Sequence, residues 1–513
     1  MATSLSCSAD FVLGMDLGTT SVKVVLLEAQ SNTVTDSRSF PTNSDISCTT
    51  DTRVGNSYLI TAMAVKRHRL YREMNLKKYC EKTHGTFNVL SETNVLFIVV
   101  IGQRAGSCTN NCSSGQMHGR FTQRRAEKSQ VHWSCEWLSK DEIIRFIPKD
   151  VSQLITWQDG RCSADFLSSL PKPDSHLSVA TGFGCATIFW YMKHRPEFLS
   201  GFSDAGTIQD YVVSMLGGLD RCVMTGQNAA SWGYFNTTTN QWNTQILKDA
   251  GFPVHLLPVV VESGAVAGYT SSEWYGIPAH TPVGAALGDF QCSVYSCMTD
   301  KGDAVLNMST SAQLTFGMPA EFSPPSSPDA LSPVAYFPYL HGSYLAVAAS
   351  LNGGNVMATF VRMLDSWIKE FGLEVNESRI YSQLIQSALA QPNTDLTVTS
   401  TLLGERHDPT TSGSVSQISP SNLSLGHVTR AVCRGIIENM ATMMPPHSLQ
   451  AAGVRCIIGS GSALSCNPVL QQEVERVFPF PVVYGKDVDS AVGVAMVFKD
   501  QLMTFVSETP DLL

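Results

Sequence analysis

Asp289 stands where an enzyme could place a proton acceptor. It ends the run Ala-Ala-Leu-Gly-Asp at residues 285–289, whose apolar part is typical of a short buried strand. Active sites of α/β proteins collect at the carboxyl ends of strands, and a carboxylate there can accept a proton from a substrate hydroxyl. The same local sequence also suits an aspartate that caps a helix over residues 291–297. From these residues alone the capping interpretation is favoured.

A second candidate is the turn Asp-Leu-Gly-Thr-Thr-Ser at residues 16–21, which lies between the β-rich runs 11–16 and 22–27. Small side chains in such a turn allow backbone N–H groups and hydroxyls to approach phosphate oxygens. The carboxylate of Asp16 could hold Mg²⁺ through water, because Mg²⁺ prefers oxygen ligands and keeps part of its hydration shell. The alternative is an ordinary β-hairpin.

A similar unit recurs in the second half of the chain. The predicted strand 304–308 is followed by the turn Ser309-Thr-Ser311. Ser/Thr-rich turns are common, so the echo is weak by itself. Two such strand–turn–strand units in two halves nevertheless suggest an internally duplicated α/β protein.

The segment Gly-Ser-Gly-Ser-Ala-Leu-Ser at residues 459–465 joins a predicted strand, 454–458, to a helix that starts near Asn467. Glycines at a strand-to-helix turn let the backbone approach a nucleotide, and a helix N-terminus favours anions. The spacing fits neither common glycine-rich nucleotide fingerprint. A plain tight turn is the alternative.

Two further segments could bind a polyol. In Gly-Gln-Met-His-Gly at residues 115–119, Gln116 and His118 offer hydrogen bonds and Met117 offers an adaptable apolar wall. In Trp-Gln-Asp-Gly-Arg at residues 157–161, an aromatic face stands beside a carboxylate and a guanidinium. Each also fits a loop or a core segment. A partial zinc site from Cys108, Cys112 and His118 lacks the rest of a ligand set, so chance spacing is favoured.

Composition limits the functions that these residues could serve. The 513 residues predict about two to four domains. The 35 Lys and Arg against 44 Asp and Glu give a net charge of −9, which argues against a general nucleic-acid binder. The apolar run 95–101 suits a buried strand and is far shorter than the ~20 residues of a membrane span. No secretory signal is visible, and fourteen scattered cysteines predict reduced thiols in the cytosol.

The elements expected to position these motifs alternate most densely after residue 151. Helices are predicted over 205–219, 427–443 and 467–478, and Pro/Ser-rich loops over 323–333 and 408–424. Residues 48–113 differ in kind, since they carry basic clusters and little amphipathic periodicity. This stretch is either a genuine insertion or an artefact of the gene model.

These motifs, in this order, resemble those of the FGGY family of carbohydrate kinases. The resemblance covers residues 11–45 and about 114–500. The segments that carry it are 15–23, 114–119, 154–162, 207–211, 228–234, 286–291, 306–311, 350–354, 404–406 and 459–463.

The resemblance implies an α/β fold of two ribonuclease-H-like domains of the actin-like ATPase type, with the active site in the cleft between them. Residues 1–288 would form the N-terminal, sugar-binding domain and residues 289–513 the C-terminal, nucleotide-binding domain. The implied reaction is ATP-dependent phosphorylation of a ketose, within the family most closely sedoheptulose to sedoheptulose 7-phosphate, with Mg²⁺ accompanying ATP. ATP and a ketose are then the expected partners, with neither nucleic acid nor membrane, and the oligomeric state is not readable from the sequence.

The resemblance also implies roles for individual residues. Asp289 matches the catalytic base, and Asp16 matches the carboxylate near Mg²⁺. The nucleotide-binding positions are Gly18, Thr19, Thr20, Ser21, Ser309, Thr310, Ser311, Gly461, Ser462 and Ala463. The substrate-binding positions are Gln116, Met117, His118, Trp157, Asp210 and Gln291.

The sequence departs from the family after the base, where much of the family has Asn and this chain has Phe290-Gln291. This change at a sugar-contacting position counts against a plain xylulokinase. A pentulose kinase stays an alternative within the class. A catalytically impaired sugar- or nucleotide-binding regulator stays an alternative outside it, because residues 48–113 interrupt the first domain. A filament-forming ATPase is disfavoured by the sugar-pocket matches.

Overall fold

The structure is a computed structural model. It describes residues 11–17, 21–41, 46–49, 57–60, 95–102, 120–122, 135–140, 143–148, 154–155, 159–272, 277–298, 300–485 and 488–508.

The first lobe is built on a six-stranded mixed sheet. Its opening strand, Phe11–Leu17, is buried along its whole length, as expected for an apolar strand covered on both faces. It pairs antiparallel with Ser21–Glu28 and parallel with Val95–Gly102, so the apolar run 95–101 is a strand as predicted. From one edge to the other the strands are Val266–Tyr269, Pro282–Gly284, Val95–Gly102, Phe11–Leu17, Ser21–Glu28 and Thr33–Pro41.

The second lobe is built on another six-stranded mixed sheet. Its opening strand, Asp303–Met308, pairs antiparallel with Ala312–Gly317 and parallel with Cys456–Ser460. From one edge to the other the strands are Val334–Pro338, Tyr344–Ser350, Ala312–Gly317, Asp303–Met308, Cys456–Ser460 and Val482–Tyr484.

The two sheets share one topology over five of their six strands, and the sixth strand lies at opposite edges of the two sheets. In each, an antiparallel hairpin supplies the first two strands, a third strand extends the hairpin, and the fourth and fifth lie parallel to the first on its other side. The two strand–turn–strand units seen in the sequence are these two hairpins. The predicted internal duplication is therefore confirmed.

The remaining strands form small two- and three-stranded sheets. They are Ile46–Thr49, Ser57–Ile60, Arg120–Thr122, Cys135–Lys140, Ile143–Pro148, Leu154–Ile155, Asp204–Gly206, Val223–Thr225, Phe235–Asn236, Gln241–Trp242, Val259–Val261, Thr397–Thr399 and Ser414–Ser416.

Helices cover the sheets and connect them. A candidate for spanning a membrane is absent from the described helices. The α-helices are Ala164–Ser168, Gly184–His194, Pro196–Leu199, Ile208–Gly217, Gly226–Ala230, Thr244–Asp249, Asp289–Cys297, Gly354–Glu370, Glu377–Leu389, Leu425–Met443, Pro446–Ala451, Ser462–Ser465, Pro468–Val477 and Ser490–Glu508, and Val254–Leu256 is a 3₁₀ turn.

The helix predicted over 205–219 starts later than expected. Asp204–Gly206 is a strand paired with Arg120–Thr122, and the helix begins at Ile208. Thr207 and Asp210 form a capping box there, which satisfies backbone N–H groups at the helix start. Its end agrees with the prediction, since Gly218 closes it with a φ of 58°.

The final helix packs against strands from the beginning of the chain. Ser490–Glu508 packs on the first sheet, where Val12, Leu27 and Phe498 share a buried cluster. It also packs tightly on helix Asp289–Cys297, because a Cβ at Gly493 would lie 1.8 Å from the carbonyl oxygen of Cys292. The domain boundary predicted between residues 288 and 289 stays a prediction.

Candidate active site

Asp289 is the first residue of helix Asp289–Cys297, which lies between the lobes. Gly288 occupies the cap position, so Asp289 is not the cap. The residue is buried, and one carboxylate oxygen accepts a hydrogen bond of 2.7 Å from the backbone N–H of Phe290. On its other flank the helix packs against the second sheet through Val294 and Cys297. Asp289 is thus the first residue of a helix that packs against both lobes.

The backbone just before Asp289 is fixed by the short helix Gly226–Ala230. The side-chain oxygen of Gln227 accepts a 3.0 Å bond from the N–H of Gly288. Thr225 and Asn228 both donate to the carbonyl of Ala286, at 2.7 and 3.1 Å. The amide nitrogen of Gln227 also donates to the carbonyl of Tyr339 in the second lobe, at 3.1 Å. These bonds set the direction in which helix Asp289–Cys297 leaves the first sheet.

Asp16 lies near the end of the first strand and shares an electrostatic environment with Asp289. Burial raises the pKa of the Cys292 thiol well above its usual value, and the charges of Asp289 and Asp16 raise it further. Both carboxylates therefore act on one buried group. Asp16 is itself buried, and its Oδ2 accepts a 2.6 Å bond from the Ser490 hydroxyl.

Residues 488–490, the junction segment, connect three parts of this region. The N–H of Val488 donates to the hydroxyl oxygen of Ser460, which precedes the turn at Gly461. The N–H of Asp489 donates to the hydroxyl oxygen of Ser296 on helix Asp289–Cys297, and the Asp489 carboxylate pairs with Lys23 on the first sheet. With the Ser490–Asp16 bond, one short segment contacts both sheets and the helix that Asp289 starts.

The second Ser/Thr turn is held by the start of helix Gly354–Glu370. The N–H groups of Gly354 and Asn355 donate to the carbonyls of Ser309 and Thr310, at 2.8 and 3.0 Å. A Cβ at Gly354 would lie 2.4 Å from the carbonyl oxygen of Ser309 and 2.8 Å from the Cβ of Ala463. Only a glycine allows the two turns and this helix to meet so closely.

The turn after strand Cys456–Ser460 approaches the same point. Gly461 has a φ of 95°, a left-handed conformation that favours glycine. A Cβ there would lie 2.2 Å from the carbonyl oxygen of Met308, at the end of the neighbouring strand. The two predicted nucleotide segments of the second lobe, 309–311 and 461–463, therefore converge.

A cavity of about 740 Å³ opens where these segments converge. This volume lies within the range of ligand sites for small molecules. Its lining includes the polar residues Ser309, Thr310, Asn355 and Ser462 and, among the apolar ones, Met357, Tyr381, Ile385, Leu402, Leu403 and Leu470. A lining that offers both polar and apolar residues suits a nucleotide, whose phosphates and base need different surroundings.

A second cavity, of about 430 Å³, lies between the lobes beside helix Asp289–Cys297. Phe183 and Ser231 line it from the first lobe, and Gln313 and Val347 line it from the second. Phe290, the residue that follows Asp289, also lines it. The predicted interdomain cleft is present in this form.

Two predicted substrate-binding residues are described, and both have clear local contacts. Asp210 is fully buried and accepts bonds from the N–H and hydroxyl of Thr207 at the start of its own helix. Burial raises the pKa of Asp210 to about 7, although the bonds from Thr207 and Asn228 act in the opposite direction. Gln291 is buried and donates to the carbonyl of Pro338 in the second lobe, at 3.1 Å. Contact of either with a sugar stays a prediction.

Several predicted positions lie outside the described residues. They are Gly18, Thr19 and Thr20 of the first turn, Gln116, Met117 and His118, Trp157, and the cysteines Cys108 and Cys112. Ser21 is described only as the first residue of its strand. Most of residues 48–113 also lies outside, apart from strand residues.

Three contacts of this region were not predicted from the sequence. Gln227 directly precedes the segment 228–234 that carries part of the family resemblance, and Lys23 is the last residue of the segment 15–23, so position at a motif was the only available signal for both. Ser490 gave none, because its partner Asp16 is hundreds of residues away. Contacts between residues so far apart in the sequence are found only in the folded structure.

Comparison with known proteins places this architecture. A family model described as "FGGY family of carbohydrate kinases, N-terminal domain" matches residues 147–296. The sedoheptulokinase of Homo sapiens is 52% identical over 94% of this chain and 96% of its own length, and that of Mus musculus is 51% identical over 96% and 97%. Among solved structures, the xylulose kinase from Rhodospirillum rubrum covers 98% of this chain and 91% of its own, at 18% identity, with a TM-score of 0.70.

The duplicated sheets and the cleft between them define a two-lobed protein of the actin-like ATPase fold, as the family resemblance implied. Within that class, the chain belongs to the FGGY family of carbohydrate kinases.

Proposed function

We propose that this protein transfers the γ-phosphoryl group of ATP to sedoheptulose, giving sedoheptulose 7-phosphate and ADP. The observation that carries the proposal is the buried carboxylate of Asp289, which starts the helix between the lobes beside the interlobe cleft. The choice of sugar is supported by the high identity to two sedoheptulokinases over nearly the whole chain.

In the proposed step, Asp289 orients the attacking hydroxyl and accepts its proton. The hydroxyl oxygen forms a bond to the γ-phosphorus, and the bond from that phosphorus to the β–γ bridging oxygen breaks. The electron pair of that bond stays on ADP. Phosphoryl transfer depends mainly on alignment and charge stabilisation, so a positioned base and phosphate-binding turns suffice on the protein side. The positions that would contact nucleotide are Ser309, Thr310, Ser311, Gly461, Ser462 and Ala463, together with the first turn at 18–21.

Asp16 fits a magnesium ion that accompanies ATP. Mg²⁺ at phosphate sites is usually bound through one or two carboxylates, with water and phosphate oxygens supplying its other ligands. A single buried carboxylate, oriented by the Ser490 hydroxyl at the end of a strand, matches that requirement. Within the described residues no cluster of three or more His, Cys, Asp or Glu side chains offers a fully protein-ligated site. When bound, the ion would neutralise charge on the phosphates.

The cytosol is the proposed compartment. Cys162, Cys185, Cys222, Cys292 and Cys433 are free thiols, and all five are buried. Reduced thiols persist in the cytosol, whereas oxidising compartments favour disulfides.

The test is an ADP-release assay with Mg·ATP over a panel of ketoses, with the product phosphate located by NMR. We expect the highest kcat/KM for sedoheptulose and phosphate on C7. Preference for a pentulose would replace the proposed substrate while keeping the kinase. Nucleotide binding without turnover of any ketose would contradict the kinase and favour a regulatory binding protein.

A further inference from the structure

Glu405 is a buried carboxylate that the proposed reaction does not use. Its side chain is almost fully buried in the second lobe. Oε1 accepts bonds from the Ser350 hydroxyl at 2.5 Å, from the Asn352 amide at 2.9 Å and from the Asn439 amide at 2.8 Å. Oε2 accepts a 3.0 Å bond from the N–H of Leu351. Burying a carboxylate is costly unless it is well hydrogen-bonded, so four converging neutral donors indicate a specific structural task.

The donors fix the loop that leads into helix Gly354–Glu370. Strand Tyr344–Ser350 ends at one donor, and Leu351 and Asn352 follow. Asn352 is fully buried, and its N–H donates to the Ser350 hydroxyl oxygen at 2.9 Å. Glu405 thus holds three consecutive residues just before Gly353, where the helix is capped.

Asn352 ties this loop to the one that contains Glu405. Its amide nitrogen donates to the carbonyl of Gly404 at 2.9 Å, and its amide oxygen accepts from the N–H of Leu403 at 3.2 Å. Gly404 has a left-handed φ of 66°. A Cβ at this position would lie 2.7 Å from the carbonyl oxygen of Pro409, so the turn accommodates only glycine. The two loops therefore form one hydrogen-bonded unit centred on Glu405 and Asn352.

Both loops of this unit contribute lining residues to the 740 Å³ cavity. From the first loop, Gly354 and Asn355 hold the carbonyls of Ser309 and Thr310. From the second loop, Leu402 and Leu403 line the cavity, and they are 48% and 44% exposed although apolar. Exposed leucines beside a polar turn are suited to contact a base while the turn contacts phosphates.

We propose that Glu405 is a positioning residue for the nucleotide: its carboxylate sets the distance between the phosphate-contacting turn and the apolar wall of the same cavity. The identity of the ligand as a nucleotide rests on the proposed function. Glu405 itself does not line the cavity, so it acts through Asn352, Gly354 and the two leucines.

The test is the variant Glu405→Gln, with binding of ATP and ADP measured by titration calorimetry in the absence of sugar. We expect the Kd for both nucleotides to rise at least about tenfold, because bonds to a charged acceptor are weakened or lost. The KM for ketose should stay within about twofold of wild type, since no bond to the first lobe changes.

Glu473→Gln is the matched control. Glu473 is also a fully buried carboxylate of the second lobe, paired with Arg430 and Arg476, and it does not line the cavity. We expect it to lower thermal stability while leaving nucleotide Kd unchanged. Asn439→Ala is a second variant for the case that Glu405→Gln does not fold, since it removes one donor from outside both loops. Its nucleotide Kd should rise about threefold.

Unchanged nucleotide binding in a folded Glu405→Gln, or in Asn439→Ala, would overturn the inference. An equal loss in Glu473→Gln would also overturn it, because general loosening of the lobe would then explain the effect. A wild-type chain that binds neither ATP nor ADP would instead overturn the proposed function, so the two failures are distinguishable.

Discussion

At the scale of single residues, Asp289 as the catalytic base stays a prediction, and the contacts that hold it were not predicted. The Gly-Asp pair at 288–289 ends an apolar run, and the family resemblance singled out Asp289 as the base. From the local sequence alone, an aspartate that caps the helix was favoured. The structure resolves this because Gly288 takes the cap position and Gln227 binds its N–H. A side chain that hydrogen-bonds to a backbone group of another element produces no local sequence pattern.

Asp289→Asn should abolish most of the turnover without preventing nucleotide binding. Asn has nearly the same shape and can still accept the bond from the N–H of Phe290, but it cannot take a proton from the substrate. We expect kcat to fall at least about 100-fold while the Kd for ATP changes less than about threefold. Steady-state kinetics and nucleotide titration measure the two quantities. Near-normal kcat in the folded variant would show that the base is another group.

The raised pKa of Asp210 predicts that the stability of the protein depends on pH. Its pKa is about 7 in the folded protein against 3.8 for the free side chain, so between these pH values the native state holds a proton that the unfolded chain has lost. Stability therefore falls as the pH rises from about 4 to about 7. Asp210→Asn stays neutral and keeps an oxygen for Thr207, so its advantage over wild type should grow over this range, by at most about 4 kcal/mol.

Urea unfolding of wild type and Asp210→Asn at pH 5, 6, 7 and 8 measures this difference directly. A difference in unfolding free energy that stays constant across the series would show that the carboxyl is already ionised at pH 5. Kinetics of the same variant test the predicted contact with substrate, since a carboxylate that only caps its helix should leave the ketose KM unchanged.

At the scale of elements, hairpins and loops followed from local chemistry, whereas boundaries set by distant partners did not. The two hairpins that open the sheets were visible as β-rich runs around small-residue turns. The helix expected from residue 205 starts at Ile208 because Asp204–Gly206 pairs with a strand some eighty residues earlier in the chain. The capping box of Thr207 and Asp210 was present in the sequence and would have placed the start correctly.

Gly461→Ala should weaken nucleotide binding, because it distorts the turn at the predicted nucleotide site. The new Cβ would meet the carbonyl oxygen of Met308, and the residue would be strained at its positive φ. We expect the KM for ATP to rise at least about fivefold and the unfolding free energy to fall by more than about 1 kcal/mol. Kinetics at varied ATP and urea denaturation measure both.

Gly453→Ala is the control that separates backbone strain at a positive φ from the close approach to Met308. Gly453 has a φ of 85°, but a Cβ there would have no atom within 4 Å. Its replacement should cost about 1 kcal/mol of stability and leave the KM for ATP unchanged. If both variants raise the KM equally, backbone strain in the second lobe, rather than the approach to Met308, controls nucleotide binding.

At the scale of the whole molecule, the junction segment connects the parts that the reaction must align. Its three residues contact the strand before Gly461, helix Asp289–Cys297 and the first sheet. The family resemblance that the ordered motifs carry implied two lobes and a cleft, and the duplicated hairpins agreed with it. It did not predict that this segment would join them, because no residue type or spacing distinguishes it from an ordinary helix start.

Ser490→Ala should weaken the response to magnesium. The hydroxyl donates to Asp16, and its loss leaves that carboxylate less well oriented. We expect the Mg²⁺ concentration for half-maximal activity to rise about three- to tenfold at saturating ATP. Ser296→Ala is the control, because it removes the acceptor for the N–H of Asp489 but no bond to Asp16. Equal shifts in both variants would assign the effect to the junction segment as a whole.

The position of the final helix has a consequence for biosynthesis. The strands that open the first sheet leave the ribosome long before helix Ser490–Glu508, which covers Val12 and Leu27 on one face of that sheet. That face stays open to chaperones and to aggregation throughout translation. A premature stop codon just before residue 490 would spare Asp16, Asp289 and both turns of the second lobe, yet yield a chain whose first lobe lacks its cover.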